Sequence, residues 1–341
     1  MSSDAERFPP AAKALRTRVV MAGAFVGALI ALGLSVTFSW GEGAGGGIGG
    51  GAGKLNAAAK EAFSSPPGSC LTWDNPDATD AHKVDCAQPH LFEVTSVVDV
   101  GAQFPPGAPA PALEQWQQIA QTRCTTDVRP YLGHPLDPYG KLTTNLLRPT
   151  AAQWSDGDRQ LRCGLQWAGP GGKLQPTSGP AKDQDQSAVW EPGTCLALLG
   201  KGVGDPIDCA QPHSYEIIAK LDLKTKFTDG YPSQDKQKTW LDTECVKAAA
   251  TYTDGADLAA KKLSLGWDLR EQESWDAGST KVNCKIAAKL PDNTGLQAVT
   301  GSVKGGPQGD APRGNGDGPP MGGEGPSAGH GPSSTAPKPG Q

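Results

Sequence analysis

Several things are scarce in this 341-residue chain, and each absence excludes something. No cysteine occurs before Cys70, and no lysine or arginine occurs between Arg18 and Lys54. No C-x-x-C pair exists. The nearest two cysteines, Cys195 and Cys209, lie 14 residues apart, which excludes zinc-ribbon spacing. No H-E-x-x-H helix is encoded. Histidine is held to five residues, and His82 and His134 have no counterparts in the repeat described below. Long apolar runs are also rare. The one uncharged stretch of membrane length is Val19–Phe38, whose 20 residues match a helix crossing about 30 Å of hydrocarbon.

Arg7, Lys13, Arg16 and Arg18 precede that stretch, so the positive-inside bias puts the N-terminus in the cytoplasm and the bulk of the chain outside. The run is too long for the apolar core of a signal peptide and lacks a small-residue cleavage site, so an uncleaved, single-pass anchor in the cell membrane is expected. The first 40 residues carry net charge +2, leaving −7 for the remainder. An acidic exterior portion is a poor partner for nucleic acid. All eight cysteines fall after the apolar stretch, in keeping with cystines in an oxidising compartment.

What is present is a repeat. Asp85-Cys-Ala-Gln-Pro-His90 recurs as Asp208-Cys-Ala-Gln-Pro-His213. Around the copies lie two sets of four cysteines: Cys70, Cys86, Cys124 and Cys163, then Cys195, Cys209, Cys245 and Cys284. Four cysteines allow three pairings in each set. The expected one joins first to second and third to fourth, the latter stapling a helix to the last strand.

His90–Val100 and His213–Leu223 alternate as amphipathic strands, with Phe92, Val94, Val98 and Val100 on one face and Tyr215, Ile217, Ala219, Leu221 and Leu223 on the equivalent face. Helical spacing follows over Leu113–Leu132 and again over Leu241–Tyr252, with Cys124 and Cys245 on the buried side. Leu142–Pro149 and Gln160–Trp167, matched by Lys261–Leu269 and Lys281–Ala288, supply closing strands. The order strand, strand, helix, strand, strand predicts an α+β fold: two tandem small disulfide-bonded domains, each an antiparallel sheet plus one helix.

The expected organisation is a cytoplasmic tail (1–18), a transmembrane anchor (19–40) and a flexible Gly-rich linker (41–67), within which Lys54–Phe63 is short enough for one helix. Domain 1 (68–168), a linker (169–192) and domain 2 (193–290) follow. The Pro/Gly-rich residues 291–341 are expected to be disordered.

Among candidate site residues, His90 and Glu93, with His213 and Glu216, stand three apart. On a strand such residues point to opposite faces, which argues against a chelate. A turn built by Asp85, Gln88 and Pro89, and by Asp208, Gln211 and Pro212, is the simpler role. No catalytic constellation, metal or cofactor is expected. Trp116, Trp240, Trp154 and Trp275 recur or lie in helical segments and suit the core. Trp73, Trp167, Trp190 and Trp267 are the candidates for an interface or a glycan surface.

The frame Gly-[Ser/Thr]-Cys-Leu, [Val/Ile]-Asp-Cys-Ala-Gln-Pro-His with Glu three residues on, a helical cysteine, then Trp-x8-Cys resembles the septum-formation domain family of actinobacterial membrane proteins. The resemblance covers Gly68–Leu165 and Gly193–Ile286, so that the domain is expected twice. It implies an envelope protein of cell division whose partners are envelope or division proteins. It supplies no catalytic residue. The alternative expectation is a protein that binds or processes peptidoglycan.

Overall fold

A computed structural model describes residues 55–292 and 294–304. The segment Val19–Phe38 lies outside the described residues. Among those residues no helix is long and apolar enough to cross a membrane.

The fold is α+β, built on two antiparallel six-stranded sheets. The first has the order β2-β1-β3-β5-β4, with β6 paired to β5; its strands are β1 (Cys70–Thr72), β2 (His82–Val84), β3 (Phe92–Asp99), β4 (Leu142–Leu147), β5 (Gln160–Ala168) and β6 (Leu174–Gln175). The second repeats that order as β8-β7-β9-β11-β10, with β12 on β11; its strands are β7 (Cys195–Leu199), β8 (Gly202–Ile207), β9 (His213–Asp222), β10 (Leu263–Trp267), β11 (Lys281–Lys289) and β12 (Leu296–Gln297). All eight cysteines are bonded in the expected pairing: Cys70–Cys86, Cys124–Cys163, Cys195–Cys209 and Cys245–Cys284.

A bulge overturns the one-face reading of the central strands. In β3, Val94 pairs with Gly164 and Ser96 with Cys163, so Thr95 is extra. In β9, Ile217 pairs with Lys285 and Ala219 with Cys284, so Ile218 is extra. One inserted residue reverses the alternation beyond it. Phe92 and Val94 therefore pack with Phe63 and Leu71, while Val98 and Val100 pack with Trp116 and Cys124. Likewise Ala219 and Leu221 join the core beneath the second helix, and Tyr215 and Ile217 do not.

The helix expected over Leu113–Leu132 is broken. It runs as α2 (Leu113–Ile119), a π-turn (Ala120–Cys124) and α3 (Val128–Leu132). Pro130 has no N–H for the Thr126 carbonyl four residues back and crowds it, so the chain interrupts there. Leu113, on the expected apolar stripe, is half-exposed. Short helices α4 (Ala151–Ser155) and α6 (Gln272–Asp276) carry Trp154 and Trp275, and the second half has one continuous helix, α5 (Gln234–Tyr252), which buries Leu241, Cys245 and Ala249.

Three expected boundaries move. The helix α1 (Ala57–Phe63), started by the Asn56 side chain accepting from Ala59 N at 2.8 Å, buries Ala59, Ala62 and Phe63 against the first sheet. Arg162 Nε then donates to Ser65 O at 3.0 Å. Residues 55–67 thus belong to the folded unit. Residues 169–192 are not a free linker, since β6 adds to β5 and Ala181, Gln186 and Ser187 are buried. Residues 296–304 are likewise structured, because β12 adds to β11 and Val299 bridges His213. In all three segments Gly- and Pro-rich composition suggested chain without a core, but a short helix that buries Phe63, or backbone pairing to a sheet edge, suffices to order them.

The halves meet through buried polar contacts. Ser274 Oγ donates to Asp137 Oδ1 at 2.8 Å; Asp137 N donates to Gln186 Oε1 at 3.0 Å, and Gln186 Nε2 donates to Ala277 O at 3.2 Å. At the other end Asp205 accepts from Gly171 N and Lys173 N at 3.0 and 3.1 Å. A Cβ on Gly171 would meet Asp205 Oδ2 at 2.4 Å, so only glycine admits that approach.

Candidate functional site

The repeated block forms the same turn twice. Asp85 Oδ1 accepts from Ala87 N at 2.9 Å and Asp85 O from Gln88 N at 2.8 Å; Asp208, Ala210 and Gln211 reproduce both bonds at 2.9 and 2.8 Å. Pro89 and Pro212 follow with φ preset by their rings. His90 and His213 are each 1% exposed. Their Nδ1 atoms lie 2.9 Å from the carbonyls of Gln88 and Gln211. A carbonyl only accepts, so Nδ1 carries a proton. In the first half Thr177 Oγ1 meets His90 Nε2 at 3.3 Å. In the second half Val299 occupies the matching place and brings no hydroxyl.

The opposite-face expectation for His90 and Glu93 fails. His90 precedes β3 rather than lying in it, and its Nε2 reaches 3.8 Å from Glu93 Oε2. Both carboxylates are almost fully buried, at 2% and 1% exposure. Glu93 accepts from Tyr131 OH through Oε1 and from Ala181 N through Oε2, at 2.5 and 2.7 Å. Glu216 Oε1 accepts from Tyr252 OH at 2.8 Å and Ser302 Oγ at 2.5 Å, while Oε2 accepts from Val303 N at 2.7 Å. Burial, reinforced by the neighbouring carboxylate, pushes both phenols above the ordinary tyrosine range.

Each node is therefore a clamp on a strap of chain. Gly179 N donates to Cys86 O at 2.6 Å, and Gly301 N to Cys209 O at 2.8 Å. Both glycines have positive φ, 86° and 83°. Thr177 and Val299 form the paired bridges to His90 and His213. The straps escaped sequence reading, although a signal exists. Leu174-Gln-x-x-Ser-Gly179 recurs as Leu296-Gln-x-x-Thr-Gly301, and Tyr131 and Tyr252 each stand seven residues after the helical cysteine.

Around each node the ligand-type atoms of Cys70, Cys86 and Glu93, or of Cys195, Cys209 and Glu216, lie within 4.8 Å of one another. The sulfurs are spent in cystines and supply no thiolate, and the carboxylate oxygens are taken by the strap and the tyrosine. Chemically the arrangement fastens chain to chain.

The four tryptophans singled out for an interface divide. Trp73 is buried in the core with Phe63 and Leu71, which corrects its assignment to a surface. Trp267 packs, half-buried, against the core under α5. Trp167 and Trp190 instead stack on each other at the seam between the halves, with centroids 4.4 Å apart and planes 29° apart. The unmatched His134 lies 3.0 Å from Pro135 O and 3.2 Å from Lys182 O, helping to hold the chain near the seam, and His82 lies 3.1 Å from Asp80 O.

The family model described as septum formation matches residues 67–284 as one span. The chain belongs to the septum formation family. It is also 34% identical, over 260 residues, to uncharacterized membrane proteins from two strains of Mycobacterium tuberculosis, covering 74% of this chain and 57% of theirs. The chain thus spans little more than half the length of the curated relatives it matches. No solved structure matches it.

Proposed function

We propose that this is a single-pass protein of the cell envelope acting in septum formation. Val19–Phe38 is its anchor, the N-terminus is cytoplasmic and the two halves lie outside. Its work is non-enzymatic, the binding of envelope or division proteins, and the family's domain is present twice. Family membership over residues 67–284 carries the reading. The naming of the Mycobacterium tuberculosis relatives as membrane proteins supports the anchor, and four cystines favour the exterior. Both buried His–Glu nodes are closed by the protein's own straps, so they serve the fold, and partners meet the outer surface. The seam contacts favour one composite surface over two independently tethered binders.

The test is imaging of the full chain with a fluorescent protein on its N-terminus. Enrichment at mid-cell during constriction is the expected result. An even peripheral signal throughout the cycle would remove the division role, and a soluble signal would remove the anchor.

A further inference from the structure

The seam brings an aromatic pair and a cation together at the surface. Trp167, from β5, and Trp190, from the segment leading into β7, stack while remaining half-buried. Their positions are fixed from the backbone. Trp167 pairs with Leu142 and Gln175, and Trp190 exchanges hydrogen bonds of 2.8 and 2.9 Å with the Asn283 side chain. Lys141 stands over the Trp167 ring, and the ammonium groups of Lys220 and Lys281 lie close enough to act on it.

Two of these cations have carboxylates. Lys220 pairs with Glu191, and Lys281 lies 3.7 Å from Asp185. Lys141 is the surplus one. Its backbone N donates to Gln186 O at 2.7 Å, which holds it against the seam, and its Nζ sits 5.7 Å from the centroid of Trp167. Among the described residues no carboxylate lies within ion-pair distance of it. Burial lowers its pKa first; Asp185 counters this, while Lys281 and Lys220 add to it. A cation so placed is disfavoured by desolvation and like charge; an arriving anion offsets the repulsion and supplies the counter-charge that Lys141 lacks. An aromatic pair beside it offers apolar contact to the C–H face of a sugar ring.

We propose that the seam binds an anionic sugar polymer, its acid group on Lys141 and a sugar ring against the Trp167–Trp190 pair. Either a carboxylate-bearing glycan or a phosphodiester-linked sugar polymer carries that chemistry. The site needs residues from both halves, so it exists only while the seam is intact. It does not depend on the division reading: a protein that bound such a polymer yet spread evenly over the envelope would keep this site and lose that role.

The test titrates the full chain, in detergent, by calorimetry with three soluble probes. They are a muramyl disaccharide-peptide, a phosphodiester-linked oligosaccharide and a neutral chito-oligosaccharide. Saturable binding of one anionic probe is expected, weakened by salt. Lys141→Gln should weaken it about tenfold, the worth of one charge-assisted hydrogen bond. Trp190→Phe should weaken it without changing the salt dependence, and Lys289→Gln should leave it unaltered. The anionic probe that binds names the acid group. Absence of saturation with both, equal affinity for the neutral probe, or unchanged affinity in folded Lys141→Gln would each overturn the proposal. Should Lys141→Gln misfold, unchanged affinity in Trp190→Phe does the same.

Discussion

The two halves share a clamp and differ in what surrounds it. In the first, Phe92 closes over Gly164 beneath α1, and a Cβ on Gly164 would meet that ring at 2.4 Å. In the second, Tyr215 and Lys285 take these places, half-buried, with Lys285 Nζ 4.8 Å from the ring centroid and 2.5 Å from Asp268. Arg162 reaches the Ser65 carbonyl in the first half, and Asn283 reaches that of Trp190 in the second. The same backbone point is thus held by different side chains. The Glu–Tyr–strap bonds recur because the Glu93 and Glu216 carboxylates are buried and must be matched. The opposite face of each sheet is free to become apolar cover in one half and a charged seam in the other.

The comparison can be broken most forcefully at the disulfides. The two helix-to-strand bonds each close 39 residues, so loop entropy assigns each about 4 kcal/mol. Denaturant unfolding of Cys124→Ala/Cys163→Ala and of Cys245→Ala/Cys284→Ala should therefore give equal losses. A difference above about 1 kcal/mol would locate compensating structure in one half. Next come the clamps. Glu93→Ala and Glu216→Ala each strip a buried acceptor from a tyrosine and a strap, at a cost of about 3 kcal/mol. Hydrogen exchange should show the released strap, 174–181 or 296–303, losing protection first. Protection retained at Gly179 or Gly301 would separate clamp from strap.

The helices sharpen the contrast. Thr251 corresponds to Pro130, so Thr251→Pro should break α5 near Lys247 and cost about 3 kcal/mol, whereas Pro130→Ala should increase helical circular dichroism at little cost. No gain would mean that the threonines bonding back to carbonyls four residues earlier, Thr122 and Thr125, interrupt that helix by themselves. Alkaline titration probes the tyrosines. Their pKa values are raised on folding, so their contribution is complete below the unfolded value of about 10 and is lost as pH climbs toward the folded one. Stability should fall above pH ~10, and Tyr131→Phe should lessen that slope. The smallest effect is expected from Thr177→Val, which makes the first clamp resemble the second and should cost about 1 kcal/mol or less by thermal unfolding.

Much of this was legible in particular residues. Of the three pairings open in each cysteine set, the favoured one is the one observed, and the closing strands expected at Gln160–Trp167 and Lys281–Ala288 fall within one residue of β5 and β11. The β3 face assignment failed because a bulge leaves no mark when the inserted residue, Thr95 or Ile218, is itself an ordinary strand former. The straps were missed because two-residue strands carry no periodicity. Trp73 was misassigned because the unmatched tryptophans were read as surface features, while its burial depends on α1, whose helix had been assigned to a tether.

Composition and repetition alone determined the α+β class, the cystines and the duplicated turn, because these depend on neighbours along the chain and on residue type. Tertiary structure decided which polar residues meet. Glu93 finds Ala181, 88 residues away, and Asp137 finds Ser274, 137 away. Such pairs are selected by the need to satisfy buried charge, a demand that exists only once the sheets have closed around it.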